Sequence, residues 1–490
     1  MTNIVPKLSL QEVGFRVLPM RTRFPFKYGI ASLTALPHLI LEAVVEVDGV
    51  ATRGIASEGL PPKWFTKSPD TTFEQDLPAM LEVIENAVKV AKDVAPNTFF
   101  NLWRNVYEEQ SSWAEDKGHP PLLANLGVSL VERVILDSLC RKLKKPIHGI
   151  IYQNLLGLRL REVRPELGSI TPIDFLPTVP LGFIQVRHTI GLGDPLTPVD
   201  VNEENRADDS LPLDLESCIR EYKLKYFKIK VCGLLEKDLP RLQVIAQILP
   251  QGSRFTLDGN EQYESIVAFR EHWEAWRENK TIRQFLDAGL LLVEQPAHRD
   301  ETFASDVTDD FSDWSERPSF IIDEADGSLD SLPNALALGY DGASHKNCKG
   351  IVKGIANAAT LNHARALRER PVHLSGEDLA NVGPIALLQD LSIMATLGVE
   401  HVERNGHHYF KGLSAWPESI QESLLSHHGD LYRAHPDGYP TLCIDGGKVD
   451  LTSLNTSAFG PKPKLNFDDL SKVDVANPET FIALGLPNEK

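Results

Sequence analysis

The chain of 490 residues has few cysteines and no long apolar run. Its five cysteines are scattered and contain no CxxC pair, which argues against a disulfide framework or a zinc ribbon and is typical of a reducing compartment. No stretch approaches the roughly 18 apolar residues that a membrane-spanning helix needs. The first 20 residues have no apolar segment followed by a small-residue cleavage site, so we expect no signal peptide. The sequence therefore predicts a cytoplasmic protein that does not bind a membrane.

Positive charge is also scarce, since 50 Lys and Arg residues face 68 Asp and Glu residues and the net charge is −18. Proteins that bind nucleic acid or anionic lipid need a basic surface, so we expect neither as a partner. The motifs GxxxxGK[ST], GxGxxG and GxSxG are absent. An anionic small substrate is not excluded, because the net charge describes the outer surface and not a single pocket.

The first third of the chain has the pattern of a small α+β domain. An alternating apolar stretch over 38–47 is followed by Asp48-Gly49 and a second short apolar run, which together predict a β-hairpin. Helical periodicity follows over 77–87 and again over 129–143. Ser129 and Glu132 have the spacing of a capping box, so the second helix is predicted to begin at Ser129.

From about residue 183 short apolar strands alternate with amphipathic helices. Such repeats imply parallel strands joined by crossover helices, and the distance from 183 to about 425 suits an eight-stranded barrel of roughly 250 residues. The strand candidates are 183–187, 226–230, 254–257, 290–293, 319–322 and 342–345, with a less clear one near 372–374, and the helical patterns are 239–249, 265–286 and 354–370.

The predicted fold class is therefore α/β, a (β/α)8-type (TIM) barrel with an N-terminal α+β capping domain. We assign residues 1–160 to the capping domain and 161–425 to the barrel. Residues 426–490 form a C-terminal segment that is predicted to pack back on the capping domain.

Ionisable side chains stand where five successive predicted strands end. The C-terminal ends of parallel barrel strands face one rim, where active sites are built, so these side chains should converge. The strand-end groups are Lys228 with Lys230, then Asp258, Glu294, Asp323 and Lys346.

The types of these residues indicate a chemistry. Three carboxylates at one point repel one another unless a cation lies among them, and oxygen ligands favour Mg²⁺ or a similar ion such as Mn²⁺. A lysine near another cation in a dry site loses its proton more easily and can act as a general base. Lys228 and Lys230 point the same way along one strand, so we expect each to lower the pKa of the other. The pattern predicts proton removal next to a carboxylate, with the metal stabilising the enediolate.

In order and spacing these motifs resemble those of the enolase superfamily, and specifically the muconate lactonizing enzyme branch of the mandelate racemase/muconate lactonizing enzyme family. The resemblance covers nearly the whole chain and implies an enolase-like barrel closed by a capping domain. Members of this superfamily use a Lys or His base together with Mg²⁺. The motifs that carry the resemblance are Lys228-Ile229-Lys230, Leu257-Asp258-Gly259-Asn260, Val293-Glu294-Gln295-Pro296, Ile322-Asp323-Glu324-Ala325 and Lys346.

The resemblance implies a role for each matching residue. Asp258, Glu294 and Asp323 match the metal ligands. Lys230 matches the base on the second barrel strand, Lys346 the opposing acid/base on the sixth, and Lys228 their electrostatic neighbour. A shift of one turn would instead make Lys349 the functional lysine of the sixth strand.

Four further residues are predicted to bind substrate. Tyr28 belongs to the segment 23–29, which resembles the family's mobile capping loop. Asn260 lies beside a predicted metal ligand, and Ser375 lies on the seventh strand. His188 ends the first strand and either reaches substrate or is a core histidine.

The implied function is that of a Mg²⁺-dependent isomerase or lyase that removes the α-proton of a small carboxylate. Racemisation or epimerisation, cycloisomerisation and β-elimination are all open outcomes, and we expect a homo-oligomer. One alternative is a non-catalytic binding or scaffold protein, although such a chain has no reason to keep all five strand-end groups. Another is an acid-sugar dehydratase of the mandelate racemase type, but position 346 is Lys and leaves His373 without the Asp partner that this reaction uses.

Overall fold

The computed structural model describes residues 5–203, 206–463 and 465–482. Its N-terminal part is an antiparallel sheet covered by helices. The strands are β1 (Leu8–Tyr28), β2 (Ala31–Val47) and β3 (Val50–Gly59), and the helices are α1 (Pro62–Thr66), α2 (Phe73–Asp93), α3 (Phe99–Lys117), α4 (Pro121–Leu143), α5 (Ile147–Tyr152) and α6 (Leu160–Val163). The hairpin predicted at Asp48-Gly49 is confirmed, because Val47 pairs with Val50 and both turn residues have positive φ.

Helix α4 begins at Pro121 and not at Ser129, so the predicted capping box is wrong. Proline fits the first turn of a helix, where its missing N–H would have no intrahelical partner. Residues 122–140 are all buried, so the helix has no polar face whose periodicity could mark its start.

Ser129 and Glu132 attach α4 to the barrel instead of capping it. The Ser129 hydroxyl donates to the carbonyl oxygen of Asn347. The Glu132 carboxylate accepts from the backbone N–H groups of Ile351 and Val352, at 2.7 and 3.2 Å. These bonds fix the capping helix on the N-terminal end of a barrel helix, whose first N–H groups would otherwise lack acceptors.

The barrel predicted from residue 183 onward is confirmed. Eight parallel strands lie in one ring, which closes where the Ile322 N–H donates to Gly342 O at 3.1 Å and the Ser344 N–H donates to Ile322 O at 2.9 Å. The strands are β4 (Phe183–Ile190), β5 (Tyr226–Lys230), β6 (Arg254–Asp258), β7 (Leu290–Glu294), β8 (Phe320–Ile321), β9 (Gly342–His345), β10 (His373–Gly376) and β11 (His401–Arg404).

The barrel helices differ from the sequence pattern in one place. The predicted helix 265–286 is two helices, because Asn279 ends the first and its side chain accepts from the N–H groups of Thr281 and Ile282 at the start of the second. The helices are α7 (Leu215–Tyr222), α8 (Leu235–Ile248), α9 (Ile266–Glu278), α10 (Lys280–Gly289), α11 (Val307–Ser312), α12 (Ser331–Leu338), α13 (Ile351–Arg365), α14 (Ala386–Leu397) and α15 (Gly406–Tyr409).

The C-terminal segment contacts both parts of the protein. Its elements are α16 (Glu418–His427), β12 (Tyr432–Ala434), β13 (Pro440–Leu442), β14 (Lys448–Asp450), β15 (Ser471–Val473) and α17 (Glu479–Ile482). Strand β14 pairs antiparallel with the first barrel strand, β4, and β15 pairs antiparallel with β1 of the N-terminal sheet. The three boundaries assigned from the sequence stay predictions. None of the described helices is long and apolar enough to cross a membrane.

The close approach of β3 to α4 yields a stability prediction. A Cβ added at Gly54 would lie 2.1 Å from Val134 O and 2.3 Å from the Ser138 hydroxyl, so Gly54→Ala must push the helix off the sheet. We expect a loss of about 1–3 kcal/mol or more in the free energy of unfolding, measured by urea denaturation. Gly14→Ala is the control, because a Cβ at this strand position meets nothing within 4 Å. Equal stability of the two variants would contradict this packing.

Candidate active site

A single buried lysine lies among four carboxylates inside the barrel. The Nζ of Lys228, on β5, is 2.8 Å from carboxylate oxygens of Glu294 and Glu377 and 2.9 Å from those of Asp258 and Glu403. Only 1% of the Lys228 surface is exposed. A buried carboxylate without a compensating cation is costly, so this ammonium allows four strand ends to keep acidic side chains together.

The second lysine of β5 is paired with one carboxylate at the cleft. Lys230 Nζ is 2.5 Å from Asp258 Oδ2, and the other oxygen of Asp258 accepts from the Asn260 N–H at 2.8 Å. Lys230, Asp258 and Asn260 all line a cleft at the C-terminal rim of the barrel.

On the sixth barrel strand it is Lys346 that faces the cleft. Its Nζ donates to both Asp323 oxygens at 2.7 Å and to Glu377 Oε2 at 2.8 Å. The same ammonium lies 5.0 Å from the centre of the Trp64 ring, which is contributed by α1 of the capping domain. This contact is a cation–π interaction, and it brings the capping domain directly onto the site.

Lys349, the alternative left open by the sequence, lies beneath the carboxylate and not in the cleft. Its Nζ donates to the backbone carbonyl and to Oδ1 of Asp323, both at 2.7 Å, and to the Ser344 hydroxyl at 2.8 Å. Both lysines are buried, but Lys346 lines the cleft and Lys349 does not. The geometry therefore makes Lys349 a support for Asp323.

The carboxylates fit a hard divalent cation. Glu294, Asp323 and Glu377 each offer one oxygen within 4.8 Å of the others. Glu294 Oε2 is buried and accepts no well-aligned hydrogen bond from a described residue, although Lys228 Nζ is 2.8 Å away. An all-oxygen donor set of this kind suits Mg²⁺ or Mn²⁺. Asp258, predicted as the third ligand, is not part of this set of three, and its two oxygens accept from Lys230 and from the Asn260 N–H.

The electrostatics differ from the sequence-based expectation for Lys228. Burial by itself lowers the pKa of this lysine, but its four carboxylate neighbours raise the pKa well above the ordinary value, which is opposite to the lowering expected from the sequence. Burial likewise lowers the pKa of Lys346, while Asp323 and Glu377 raise it well above the ordinary value. Burial and the nearby carboxylates raise the pKa of Glu294 well above its usual range. These shifts keep Lys228 and Lys346 as ammonium groups and favour protonation of Glu294.

Two of the four predicted substrate-binding residues lie at the cleft. Tyr28 and Asn260 line it. Ser375 lies deeper, where its hydroxyl donates to Glu377 Oε1 at 2.8 Å. His188 is on the outer side of the barrel, because side chains alternate along β4 and its neighbours Arg187 and Thr189 face inward. Its Nδ1 is 3.1 Å from His407 Nε2, so the core-histidine alternative describes its position.

Two acidic residues of the site were missed in the sequence. Glu377 follows β10, and Glu403 lies on β11, where it accepts from Thr189 at 2.6 Å and from Lys228. The rule that strand ends carry the site residues would have found both if β10 and β11 had been placed clearly. Each of these four-residue strands contains one large apolar residue, Leu374 in β10 and Val402 in β11, so neither shows the apolar run that marks β5 to β8.

The rest of the cleft wall is mostly apolar. Trp64 lines it, while the adjacent Phe65 is fully buried in the capping-domain core. Gln295 fixes the backbone on either side of Glu324, since its Oε1 accepts from the N–H groups of Asp323 and Ala325. The apolar wall residues are Phe26, Leu33, Pro61, Trp64, Leu379 and Ala380.

Known proteins of the same fold were found only by structure. No protein-family model and no curated protein matches the sequence. A mandelate racemase/muconate lactonizing protein from Herpetosiphon aurantiacus is 15% identical over 92% of this chain and 98% of its own, with a TM-score of 0.57. The muconate lactonizing enzyme of Pseudomonas fluorescens, solved with muconolactone, is 15% identical over 94% and 97%, with a TM-score of 0.57.

A Bradyrhizobium enolase solved with magnesium and mandelic acid is also similar, at 13% identity over 92% of this chain and 94% of its own, with a TM-score of 0.54. At these identities the similarity establishes the fold. The chain has the enolase-like barrel and capping domain of the mandelate racemase/muconate lactonizing enzyme structures, as its sequence motifs predicted.

The role of the Lys228 ammonium in balancing four buried carboxylates can be tested by measuring the stability of a variant that lacks it. Lys228→Met leaves four buried carboxylates without their common cation, so we expect a loss of about 3–5 kcal/mol in the free energy of unfolding at neutral pH. The carboxylates would then bind protons more tightly in the folded than in the unfolded state. The loss should therefore shrink as the pH falls toward the ordinary glutamate pKa of about 4.3.

Chemical denaturation between pH 5 and pH 8 measures this effect. The exposed Lys237→Met serves as the control and should change stability by less than about 0.5 kcal/mol at every pH. A Lys228→Met variant that behaves like this control would rule out the proposed charge balance.

Proposed function

We propose that this protein is a divalent-cation-dependent enzyme that removes the α-proton of a small carboxylate substrate. The observation that carries the proposal is the pair Lys230 and Lys346, which line one cleft from β5 and β9. These strands are four apart in a ring of eight, so the two lysines approach the cleft from opposite sides. A substrate between them has one lysine near each face of its α-carbon.

Glu294 and Asp323 are proposed to hold the cation, with Asp258 or Glu377 as the third carboxylate. When bound, the cation would draw negative charge from the substrate carboxylate and so stabilise the enediolate. The convergence of three buried carboxylate oxygens, from Glu294, Asp323 and Glu377, supports this assignment.

The lysines are proposed to move the proton. Asp323 and Glu377 keep Lys346 an ammonium, so it is prepared to donate a proton to the α-carbon. Lys230 contacts one carboxylate, Asp258, and is proposed to remove the proton from the other face. Exchange of these roles would let the same pair act on both enantiomers, so racemisation or epimerisation is the outcome that this arrangement favours.

The substrate is proposed to be a carboxylate with an apolar group. The charged groups lie on the barrel side of the cleft, whereas Phe26, Trp64 and Leu379 line other parts of it. The reactive carboxylate would face the lysines and the cation. The apolar part would pack against the capping domain and exclude water from the reacting atoms.

Solvent exchange tests the two-lysine mechanism. Candidate 2-substituted carboxylates are incubated in D₂O with Mg²⁺, and deuterium at the α-carbon is followed by NMR and mass spectrometry. Lys230→Met and Lys346→Met should each lower the exchange rate by about 10²–10⁴, the usual contribution of a general acid or base. Lys237 lies on the exposed surface, so Lys237→Met should leave the exchange rate unchanged.

The variant Lys349→Met separates support of Asp323 from proton transfer. It should weaken the binding of Mg²⁺ but retain most of the exchange rate when the metal is saturating. Retention of exchange in both Lys230→Met and Lys346→Met would disprove the mechanism. Complete absence of exchange in the parent protein across the carboxylate panel would instead favour a binding or scaffold role.

Metal binding gives an independent prediction. Protein stripped with EDTA and titrated with Mg²⁺ or Mn²⁺ should gain stability, by about 2.7 kcal/mol at a metal concentration 100 times the Kd. Glu294→Gln should abolish most of this gain, whereas the exposed Glu274→Gln should keep it. Calorimetry measures the affinity for the metal, and thermal unfolding measures the gain in stability. An equal gain in stability in both variants would show that Glu294 is not a ligand.

A further inference from the structure

A second cluster of metal-ligand side chains lies outside the barrel ring, apart from the cleft. His188 on β4, Cys218 on α7 and His408 on α15 each offer one donor atom, and these atoms lie within 4.8 Å of one another. The three residues are 30 and 190 positions apart in the chain, so no ligand-spacing motif marks them. All are buried, with exposed fractions of 2%, 0% and 2%.

The cluster combines nitrogen and sulfur donor atoms, whereas the cluster inside the barrel offers only carboxylate oxygens. Two imidazole nitrogens and one sulfur form a borderline-soft donor set that suits Zn²⁺ and not Mg²⁺.

Each histidine of the cluster has a polar side chain beside one of its ring nitrogens. His408 Nδ1 is 3.6 Å from Cys218 Sγ, and its other nitrogen, Nε2, is 3.8 Å from Asp194 Oδ2. A histidine that binds metal through one nitrogen commonly directs the other to a carboxylate. His188 Nδ1 is likewise 3.1 Å from His407 Nε2.

Polar atoms beside the cluster are left unsatisfied. His407 Nδ1 and Asp194 Oδ1 are buried and have no hydrogen-bond partner among the described residues. Unsatisfied buried groups of this kind are rare in native proteins and call for an ion or water. Both atoms belong to residues that adjoin the cluster, His407 beside His188 and Asp194 beside His408.

We propose that His188, Cys218 and His408 bind one Zn²⁺ ion. On binding, the Cys218 S–H bond breaks, a sulfur–zinc bond forms and the proton leaves to solvent. The thiolate removes one of the two positive charges of the ion, and the carboxylate of Asp194 lies behind His408 to balance the other. His188 lies on the barrel strand β4, Cys218 on α7 and His408 on α15, so the ion ties both helices to this strand.

The site is close to the cleft but separate from it. The Phe24 ring packs edge-on against His408, with centroids 5.0 Å apart, and Arg23 donates to the His408 carbonyl oxygen at 2.6 Å. Tyr409, the next residue, stacks on the cleft residue Phe26 at 4.1 Å. A zinc ion here would hold one wall of the cleft, and because the ligands are covered it would enter during folding.

The experiment uses the full chain, produced in minimal medium supplemented with Zn²⁺ or with Co²⁺ and purified in excess Mg²⁺. The excess of Mg²⁺ keeps the carboxylate site from retaining the other ions. We expect one zinc per chain after exhaustive dialysis, measured by plasma mass spectrometry. The cobalt protein should show the near-ultraviolet thiolate-to-cobalt charge-transfer band together with the visible bands of a tetrahedral ion.

Cys218→Ser and His408→Gln should lose the bound zinc, and Cys218→Ser should lose the charge-transfer band. The matched control Cys348→Ser changes a cysteine that is also buried, where the capping domain packs on the barrel, and should keep both signals. Wild-type protein without zinc, or cobalt protein without the thiolate band, overturns the proposal even if the variants fail to fold. Persistence of the band in Cys218→Ser also overturns it.

Discussion

The structure depends on the balance of buried charge inside the barrel. A parallel barrel is normally filled by branched apolar side chains in layers, but here Lys228 and its four carboxylate neighbours occupy the upper part of the interior. Removal of the Lys228 ammonium would leave Glu294 and Glu403 buried without this cation, while Asp258 and Glu377 would keep Lys230 and Lys346 as partners. The ends of β5, β6, β7, β10 and β11 are therefore held together by one ammonium as well as by backbone hydrogen bonds. This requirement fixes the positions of the acidic groups before any substrate arrives.

The same balance connects cation binding to the reactivity of the lysines. Asp323 binds Lys346 through both oxygens and Lys349 through one, so the carboxylate that would hold a cation also holds two ammonium groups. A divalent cation among these oxygens would take over part of their charge and weaken their hold on Lys346. The lysine would then give up its proton more easily than in the cation-free protein, because the groups that raise its pKa would be shared. In the proposed enzyme the ion would thus lower the pKa of Lys346 as well as stabilise the enediolate.

Much of this arrangement could be predicted from the sequence, and the exceptions have physical reasons. Apolar runs mark β5 to β8, so the sequence assigns Lys230, Asp258, Glu294 and Asp323 to strand ends, and the structure places Lys346 beside Asp323. Strand β11 was missed because Glu403 and Arg404 make up half of its four residues. The start of α4 was misplaced because a helix that is buried all round has no amphipathic pattern. The sequence does not decide whether His188 contacts substrate or packs in the core. The decision needs the structure, in which Arg187 and Thr189 on β4 face inward and His188 therefore faces outward.

The segment that runs from β11 into α15 connects the two centres. Glu403 binds Lys228, Asn405 lines the cleft, and His408 belongs to the proposed zinc cluster. These residues span only six positions, so a shift of His408 would be transmitted through a short, buried piece of backbone to the carboxylate that balances Lys228. The capping domain closes on the same piece, because Arg23 donates to the His408 carbonyl and Phe26 stacks on Tyr409. An ion that fixes α15 against β4 would therefore stabilise both the charge balance within the barrel and the closed position of the capping segment above the cleft.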